Sequence, residues 1–372
     1  MARNPTQPDI QIGNRTVSIP NRKTAAASLP AGLELDHGWK VVEAVDRNED
    51  ATGGNFSHSY IVEKDSHRGF LKAFDFSDAF EPGKETIQLL KLMTSAYEHE
   101  REILWMCREK RLSNVVMAIE SGSVQAPGID GIDGRVFYLI FELADGDVRR
   151  QVAQEERFDT LWSIRALKDV CLGLFQVHRE MVAHQDMKPS NVLAYGNGFR
   201  ISDFGRSSRR GRSVWYDDRD VAGDATYSPP ELIYGFTHPE FAVRRFGCDM
   251  YMLGNLASFM FAGVNMTAGI FSRIAPQFHP QEWQGKYQEV LPYVQEAFTR
   301  TLADIAGQIP SDVREDMVSL IRELCNPDVS VRGHPRGIGR HDQYSLERYV
   351  SRLAHLADQF EIRVRIRLRK AQ

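Results

Sequence analysis

Cysteine is scarce: Cys107, Cys171, Cys248 and Cys325 are the only four in 372 residues, and no two stand at a CxxC spacing. This excludes a disulfide-dense secreted scaffold and a Cys-based zinc module, and reads as the reduced thiols of a cytoplasmic protein. Long apolar runs are missing too. The longest, residues 250–264, is interrupted by Asn255 and Ser258 and falls short of the ~20 residues that span a bilayer. No hydrophobic region follows Met1-Ala-Arg-Asn-Pro5, so no signal peptide is expected. No self-similarity recurs at periods of about 20–50 residues, which excludes solenoids and propellers. Acid is absent from residues 362–372, which carry Arg363, Arg365, Arg367, Arg369 and Lys370. With a net charge of −4 overall, the body of the chain is therefore markedly acidic.

What is present has the proportions of a folded protein. Hydrophobic residues make up 42% and charged residues 26%, which excludes a mostly disordered or collagenous chain. At roughly 150 residues per domain, the length predicts two packed units or one domain of two lobes. Residues 1–33 hold Pro5, Pro8, Pro20 and Pro30 among polar residues with no sustained period, and read as a flexible lead-in. The short β-branched and aromatic runs VVEAV, SYIVE and GFLKAFDF, separated by Gly53-Gly54 and His67-Arg68-Gly69, predict an antiparallel meander. Residues 84–111 place Ala96, Ile103, Leu104 and Cys107 at helical spacing. Strands are predicted at 115–120 and 136–143, and helix dominates after Asp145-Gly-Asp147 to about residue 358. Strands first and helices afterwards predict an α+β architecture. It has a β-rich lobe at 34–143, a helical lobe at 144–356 and a basic tail at 357–372. The cleft between the lobes is where a site is expected.

The most specific pattern is His184-Gln-Asp-Met-Lys-Pro-Ser-Asn191, followed by Asp203-Phe-Gly205 after a short strand at 199–202. In this order and near this separation the two motifs resemble the catalytic loop H-R-D-L-x-x-x-N and the metal-binding D-F-G of the protein kinase family. The resemblance implies a bilobal protein-kinase-like fold and transfer of the ATP γ-phosphate, with Mg2+, to Ser or Thr hydroxyls of proteins, including autophosphorylation. Such chemistry asks the protein chiefly to position the nucleotide and neutralise negative charge. On the family's pattern Asp186 orients or deprotonates the acceptor hydroxyl, Asn191 and Asp203 bind magnesium, and Lys188 meets the transferring phosphate and favours Ser/Thr over Tyr. Taken singly, Asp186 reads as a turn cap and Asp203 as an Asx turn; the set argues for chemistry.

Lys72, in Phe70-Leu-Lys-Ala-Phe74, matches the family's lysine that contacts the nucleotide phosphates. Its partner is sought among Glu98, Glu100 and Glu102. Glu100 is preferred because Ala96, Ile103, Leu104 and Cys107 form an inward face around it, whereas Glu102 would bring Glu109 onto that face. In Thr52-Gly-Gly-Asn-Phe-Ser-His-Ser59, Gly54 and Phe56 keep the nucleotide-loop pattern. Thr52 and Ser57 replace the outer glycines that let backbone N–H groups approach phosphate. The run Tyr138-Leu-Ile-Phe-Glu-Leu-Ala-Asp-Gly-Asp147 resembles the last strand and hinge. It puts Glu142 and Ala144 at the adenine edge, Phe141 at the back pocket and Asp147 near the ribose.

Further along, Pro229-Pro-Glu231 stands in the place of A-P-E, Asp249 opens a buried central helix, and Arg332 matches the arginine that pairs with Glu231. The resemblance covers about residues 34–335. Two departures concern regulation and substrate. Gln185 replaces the arginine that, in the family, reads activation-loop phosphate, and Gln supplies no charge. Arg206, Arg209, Arg210, Arg212 and Arg219 are expected to pair instead with Asp217, Asp218 and Asp220, assembling the site before Ser207, Ser208, Ser213 or Tyr216 is phosphorylated. Asp224 stands where Ser/Thr kinases place a threonine, and either bridges to Lys188 or repels Asp186. The tail Ile362-Arg-Val-Arg-Ile-Arg-Leu-Arg369 alternates with the period of a strand. It reads as an added edge strand with arginines in solvent, or as a contact for an acidic partner, nucleic acid or anionic lipid. Two other readings of the whole chain stay open: a nucleotide-binding pseudokinase scaffold, and a kinase of a small-molecule acceptor.

Overall fold

Alternation of apolar side chains between two faces builds the first lobe. The structure, a computed structural model, describes residues 11–12, 15–16, 26–45, 57–81, 83–154, 159–196, 198–214, 216–217 and 221–371. Strands β1 (Lys40–Ala44), β2 (Ser57–Lys64), β3 (His67–Phe74), β4 (Ala118–Gln125) and β5 (Arg135–Glu142) form one antiparallel sheet in the order β1-β2-β3-β5-β4. Asp65 and Ser66 join β2 to β3 with φ of 48° and 65°. Two successive left-handed residues make the tight turn that matches strand twist. His67-Arg68-Gly69, expected as the turn, therefore belongs to β3. The fourth strand starts at Ala118 rather than 115, because Val115 and Val116 are taken by the other lobe, where the Val116 N–H donates to the Ile201 carbonyl at 2.9 Å.

The sheet is covered on both sides. Helix α1 (Thr86–Glu109) packs beneath Phe74, Leu139 and Phe141. Leu71, Ala73, Tyr138 and Ile140 point the other way, onto Ala27, Leu29, Leu35 and Trp39. Residues 26–33, expected as part of a flexible lead-in, are thus a built part of the lobe. Leu29 N–H donates to Tyr60 Oη at 2.8 Å, and that hydroxyl donates to the Ala27 carbonyl at 2.7 Å.

The second lobe is helical. Helix α2 (Thr160–Arg179) starts where Asp159 accepts from the Leu161 and Trp162 amides, engaging N–H groups that have no partner inside the helix. It is followed by the hairpin β6 (Val192–Tyr195) and β7 (Gly198–Ile201). Then come α3 (Gly247–Ala262), α4 (Tyr287–Gln308), α5 (Arg314–Leu324) and α6 (Glu347–Ala371). Helix α3 is the lobe's apolar centre, buried at every position but Phe259. Arg332, fully buried, donates both terminal nitrogens to Glu231 at 2.6 and 2.7 Å, the pair anticipated from the motifs.

The tail is not a strand. Of the expected basic tail 357–372, residues 357–371 continue α6, which runs unbroken from Glu347 to Ala371. Tyr349, Leu353, Leu356 and Phe360 are buried, and the helical register set there carries on. Glu361 ties it to α2 through Arg165 at 2.7 Å and to Arg365 one turn on. Arg363 donates to the Asp312 carbonyl at 3.1 Å and Arg367 to its carboxylate at 2.7 Å. Cations near a helix C-terminus also favour helix. Period-two alternation cannot face one side of a helix, so Ile362 and Ile366 stand exposed. All four cysteines are buried free thiols, and no described helix is long and apolar enough to cross a membrane.

Candidate active site

The lobes meet at a lysine held between two carboxylates. Strand β3 turns Lys72 toward α1, where Nζ lies 2.9 and 3.0 Å from the two oxygens of Glu100 and 3.0 Å from Asp203 Oδ1. Burial by itself would lower the Lys72 pKa, but Asp203 and Glu100 outweigh it and hold the ammonium charged. Two acids share that one cation. Lys72 holds Asp203 down to about 2, whereas burial raises Glu100 against the pull of Lys72. Glu100 is 3% exposed at its side chain and Asp203 38%, so only Asp203 offers oxygen to the cleft. Asp203 has a left-handed backbone, φ 63°, a conformation that persists in a non-glycine residue when its surroundings impose it.

The helix register distinguishes the three glutamates. Glu98 is exposed, and Glu102 faces outward to Arg212. Glu100→Ala is expected to lower turnover about 10-fold or more by freeing Lys72, while Glu102→Ala, which removes a surface pair, should change it less than about twofold. Initial rates of the two variants decide.

Below Lys72 the segment 184–191 is fixed from the inside. Asp249, wholly buried at the start of α3, accepts from the backbone amides of His184 at 2.7 Å and Gln185 at 2.6 Å and from His178 Nε2 at 2.8 Å. Asn191 Nδ2 donates to the Asp186 carbonyl at 2.7 Å and to its Oδ2 at 3.2 Å. Lys188 Nζ lies 3.1 Å from Asp186 and 3.7 Å from Asp224. Burial raises the Asp186 carboxyl above its usual range and Lys188 opposes that rise. Asp224 thus bridges to Lys188, and its N–H donates to Asp186 Oδ1 at 2.8 Å. Gly223 makes this approach possible, since a Cβ there would lie 2.4 Å from the Gln185 carbonyl and 2.6 Å from Asp186 Oδ1. Gly223→Ala should therefore lower kcat about 100-fold by displacing Asp186, with thermal stability less affected; steady-state kinetics beside a melting curve would check it.

The residues expected at a hinge are spread over a different wall. Glu142 ends β5 with its carboxylate on Arg200 and its carbonyl accepting from Tyr195 Oη at 3.3 Å. Ala144 follows outside any strand or helix, and Phe141 lies buried against Phe70. Asp147 pairs with Leu193 in a short ladder. Its carboxylate accepts from the Arg150 amide at 3.0 Å, capping the helix Val148–Gln154. Thr52, Gly54 and Phe56 lie outside the described residues.

The loop after Asp203 departs from expectation. Of the four loop hydroxyls Ser207, Ser208, Ser213 and Tyr216, only Ser213 is open to solvent; the other three are 0%, 1% and 1% exposed. Asp217 is met by Arg245, 60 residues beyond Gln185, rather than by an arginine of the loop. Arg212 reaches Glu102, and Asp218, Arg219 and Asp220 lie outside the described residues. Arg245, His99 and His178 have no counterpart among the motif residues. Their only sequence signal is a polar residue beside an apolar helix face, which does not distinguish a buried partner from a surface one.

A protein-family model described as "Protein kinase domain" matches residues 84–342. Its match opens just before α1 and does not reach β3, so it does not cover Lys72. The chain is similar to Aurora kinase A-A of Xenopus laevis, 27% identical over 56% of this chain and 44% of that protein. It is 33% identical to Aurora kinase B-A of the same species over 29% of this chain and 30% of the relative. The CTD kinase subunit alpha of Saccharomyces cerevisiae is 30% identical over 32% and 22%. The matched stretch thus spans less than half the length of these curated relatives.

Proposed function

Since the chain belongs to the protein kinase family, we propose that it transfers the γ-phosphate of ATP to Ser or Thr hydroxyls of proteins, its own included. The observation that carries this reading is the approach of Lys72 to both Glu100 and Asp203 across the cleft. It joins the two lobes at the point where phosphates would lie. In the proposed reaction Lys72 binds the non-transferred phosphates, and Asp186 accepts the proton of the attacking hydroxyl while its carbonyl keeps Asn191 in place. Lys188 neutralises charge on the phosphoryl group as it passes, and the leaving diphosphate departs toward Lys72.

The residues present fit magnesium. Among the described residues no group of three His, Cys, Asp or Glu could hold a metal unaided. A cation that keeps waters and phosphates in its shell needs only one or two protein oxygens. Asp203 supplies an ionised, partly open carboxylate, and Asn191, with Nδ2 engaged by Asp186, keeps Oδ1 as an acceptor. The ion would neutralise charge on the β- and γ-phosphates. In the proposed complex the backbone of Ala144 and Glu142 would meet the adenine edge and Asp147 the ribose, with Gly54 and Phe56 assigned to the phosphates by their sequence pattern.

Support for a Ser/Thr acceptor comes from Lys188, two residues after Asp186. Incubation with labelled ATP and Mg2+, a mixed Ser/Thr/Tyr peptide library and a metabolite panel tests the whole reading. Mass spectrometry should find label on peptide and protein Ser/Thr. Label on a metabolite alone would redirect the acceptor, and nucleotide binding without transfer would make the chain a scaffold.

A further inference from the structure

Gln185 directly precedes Asp186 and has φ 62°, a left-handed conformation for a residue with a full side chain. Apart from Asp249, what holds it is a closed ring of polar groups, buried except for the half-buried Asp217. Gln185 Nε2 donates to Ser208 Oγ at 2.6 Å and to the Arg206 carbonyl at 3.1 Å. Ser208 Oγ donates to Asp217 Oδ1 at 2.9 Å. Arg245 Nη2 donates to that same oxygen at 2.9 Å and to the Asp217 carbonyl at 3.2 Å, while Nη1 donates back to Gln185 Oε1. Asp217 Oδ2 accepts from the Val214 amide at 2.8 Å, and its carbonyl from Arg244 at 2.8 Å.

Arg245 is 4% exposed. A guanidinium removed from water this far is tolerated when a carboxylate faces it and its N–H groups are engaged. It comes from the π-helical turn Ala242–Phe246 immediately before α3; such turns redirect side chains and recur at functional sites. The loop it grips is anchored on a second side. His99 Nε2, one residue before Glu100, donates to the Ser207 carbonyl at 2.8 Å, and Tyr216 Oη donates to the same carbonyl at 2.5 Å. One turn of loop therefore touches the helix carrying Glu100 and the segment carrying Asp186.

We propose that Arg245 is a positioning residue for phosphoryl transfer. By holding Asp217 and Gln185 together it fixes loop residues 206–214 and 216–217 against the catalytic segment, so that Asp186 is set without phosphate on that loop. This rests on the kinase reading above. The carboxylate of Asp217 supplies the anion and Arg245 the cation, both encoded rather than added. The hydroxyls of Ser207, Ser208 and Tyr216 are donors inside the assembly, directed at the Phe204 carbonyl, Asp217 and the Ser207 carbonyl.

The test uses the full chain after phosphatase treatment, with labelled ATP and a mixed peptide library, beside hydrogen exchange of residues 206–217. Wild type should keep its kcat within about threefold of the untreated protein. Arg245→Gln and Asp217→Asn should each lower kcat about 10- to 100-fold while KM for ATP moves less than about twofold. The double variant should be no worse than the poorer single, because the two act as a unit. Arg245→Lys should recover part of the loss, since it keeps charge and loses the planar fork. Exchange in 206–217 should rise in both singles. Lowered melting temperature with unchanged kcat would overturn the proposal. So would losses that multiply, or a wild type silenced by phosphatase and revived by phosphate on Ser213. If no preparation transfers phosphate, the kinase reading fails, and exchange unchanged by Arg245→Gln would overturn the clamp independently.

Discussion

Asp203→Ala is expected to reduce phosphoryl transfer by about three decades or more while leaving the melting temperature nearly where it was. Charge stabilisation around a transferring phosphoryl group is worth several kcal/mol, at about 1.4 kcal/mol per decade of rate. The fold should tolerate the change because Lys72 keeps both oxygens of Glu100. Lys72→Met gives the informative contrast. Activity should fall as far, but Glu100 and Asp203 are left facing each other without their shared cation, so the protein should also melt earlier. Rate measurements with purified variants, paired with thermal unfolding, separate the two. Transfer by Asp203→Ala within about tenfold of wild type would remove this carboxylate from the site.

Arg332→Ala should produce the largest loss of stability, about 3–5 kcal/mol, because it strands the buried Glu231 carboxylate. Both terminal nitrogens of Arg332 are engaged by Glu231, and Nη1 also reaches the Gly247 carbonyl at 3.1 Å. Replacing both partners, as in Glu231→Gln with Arg332→Met, should cost less than the two single losses together, since no unpaired charge stays buried. Denaturant unfolding monitored by fluorescence measures this. A loss below about 1 kcal/mol for Arg332→Ala would mean that water reaches the abandoned carboxylate.

The parts of this architecture that show in the sequence are those where one local pattern has one physical outcome. Period-two runs around Lys72 leave little choice but a strand, and the apolar residues flanking Glu100 fix which glutamate faces it. Apolarity at residues 250–262 likewise marks a helix with no exposed face. What does not show depends on neighbours distant in sequence. Val115 and Val116 have strand propensity, yet the edge they find is Ile201 in the other lobe. Residues 362–369 alternate as a strand would, but α6 is already docked on α2 before they are reached, and Asp312 and Glu361 supply anions at helical spacing. The loop arginines were the reasonable source of charge for Asp217. Nothing in the composition around Arg245 says that a π-helical turn would aim it there instead.

The strap formed by Ala27 and Leu29 bears on how this lobe can be cut out for expression. A fragment begun at residue 84, where the family match opens, would discard β1 to β3 with Lys72. One begun at residue 34 would look complete by strand count, yet would strip the Tyr60 hydroxyl of both its backbone partners and bare the apolar face of Leu71, Tyr138 and Ile140. Such a truncation would present a sticky sheet surface to its neighbours in solution, so aggregation, rather than loss of any catalytic group, is how it would fail. The shortest soluble version of the small lobe accordingly begins at or before Ala26.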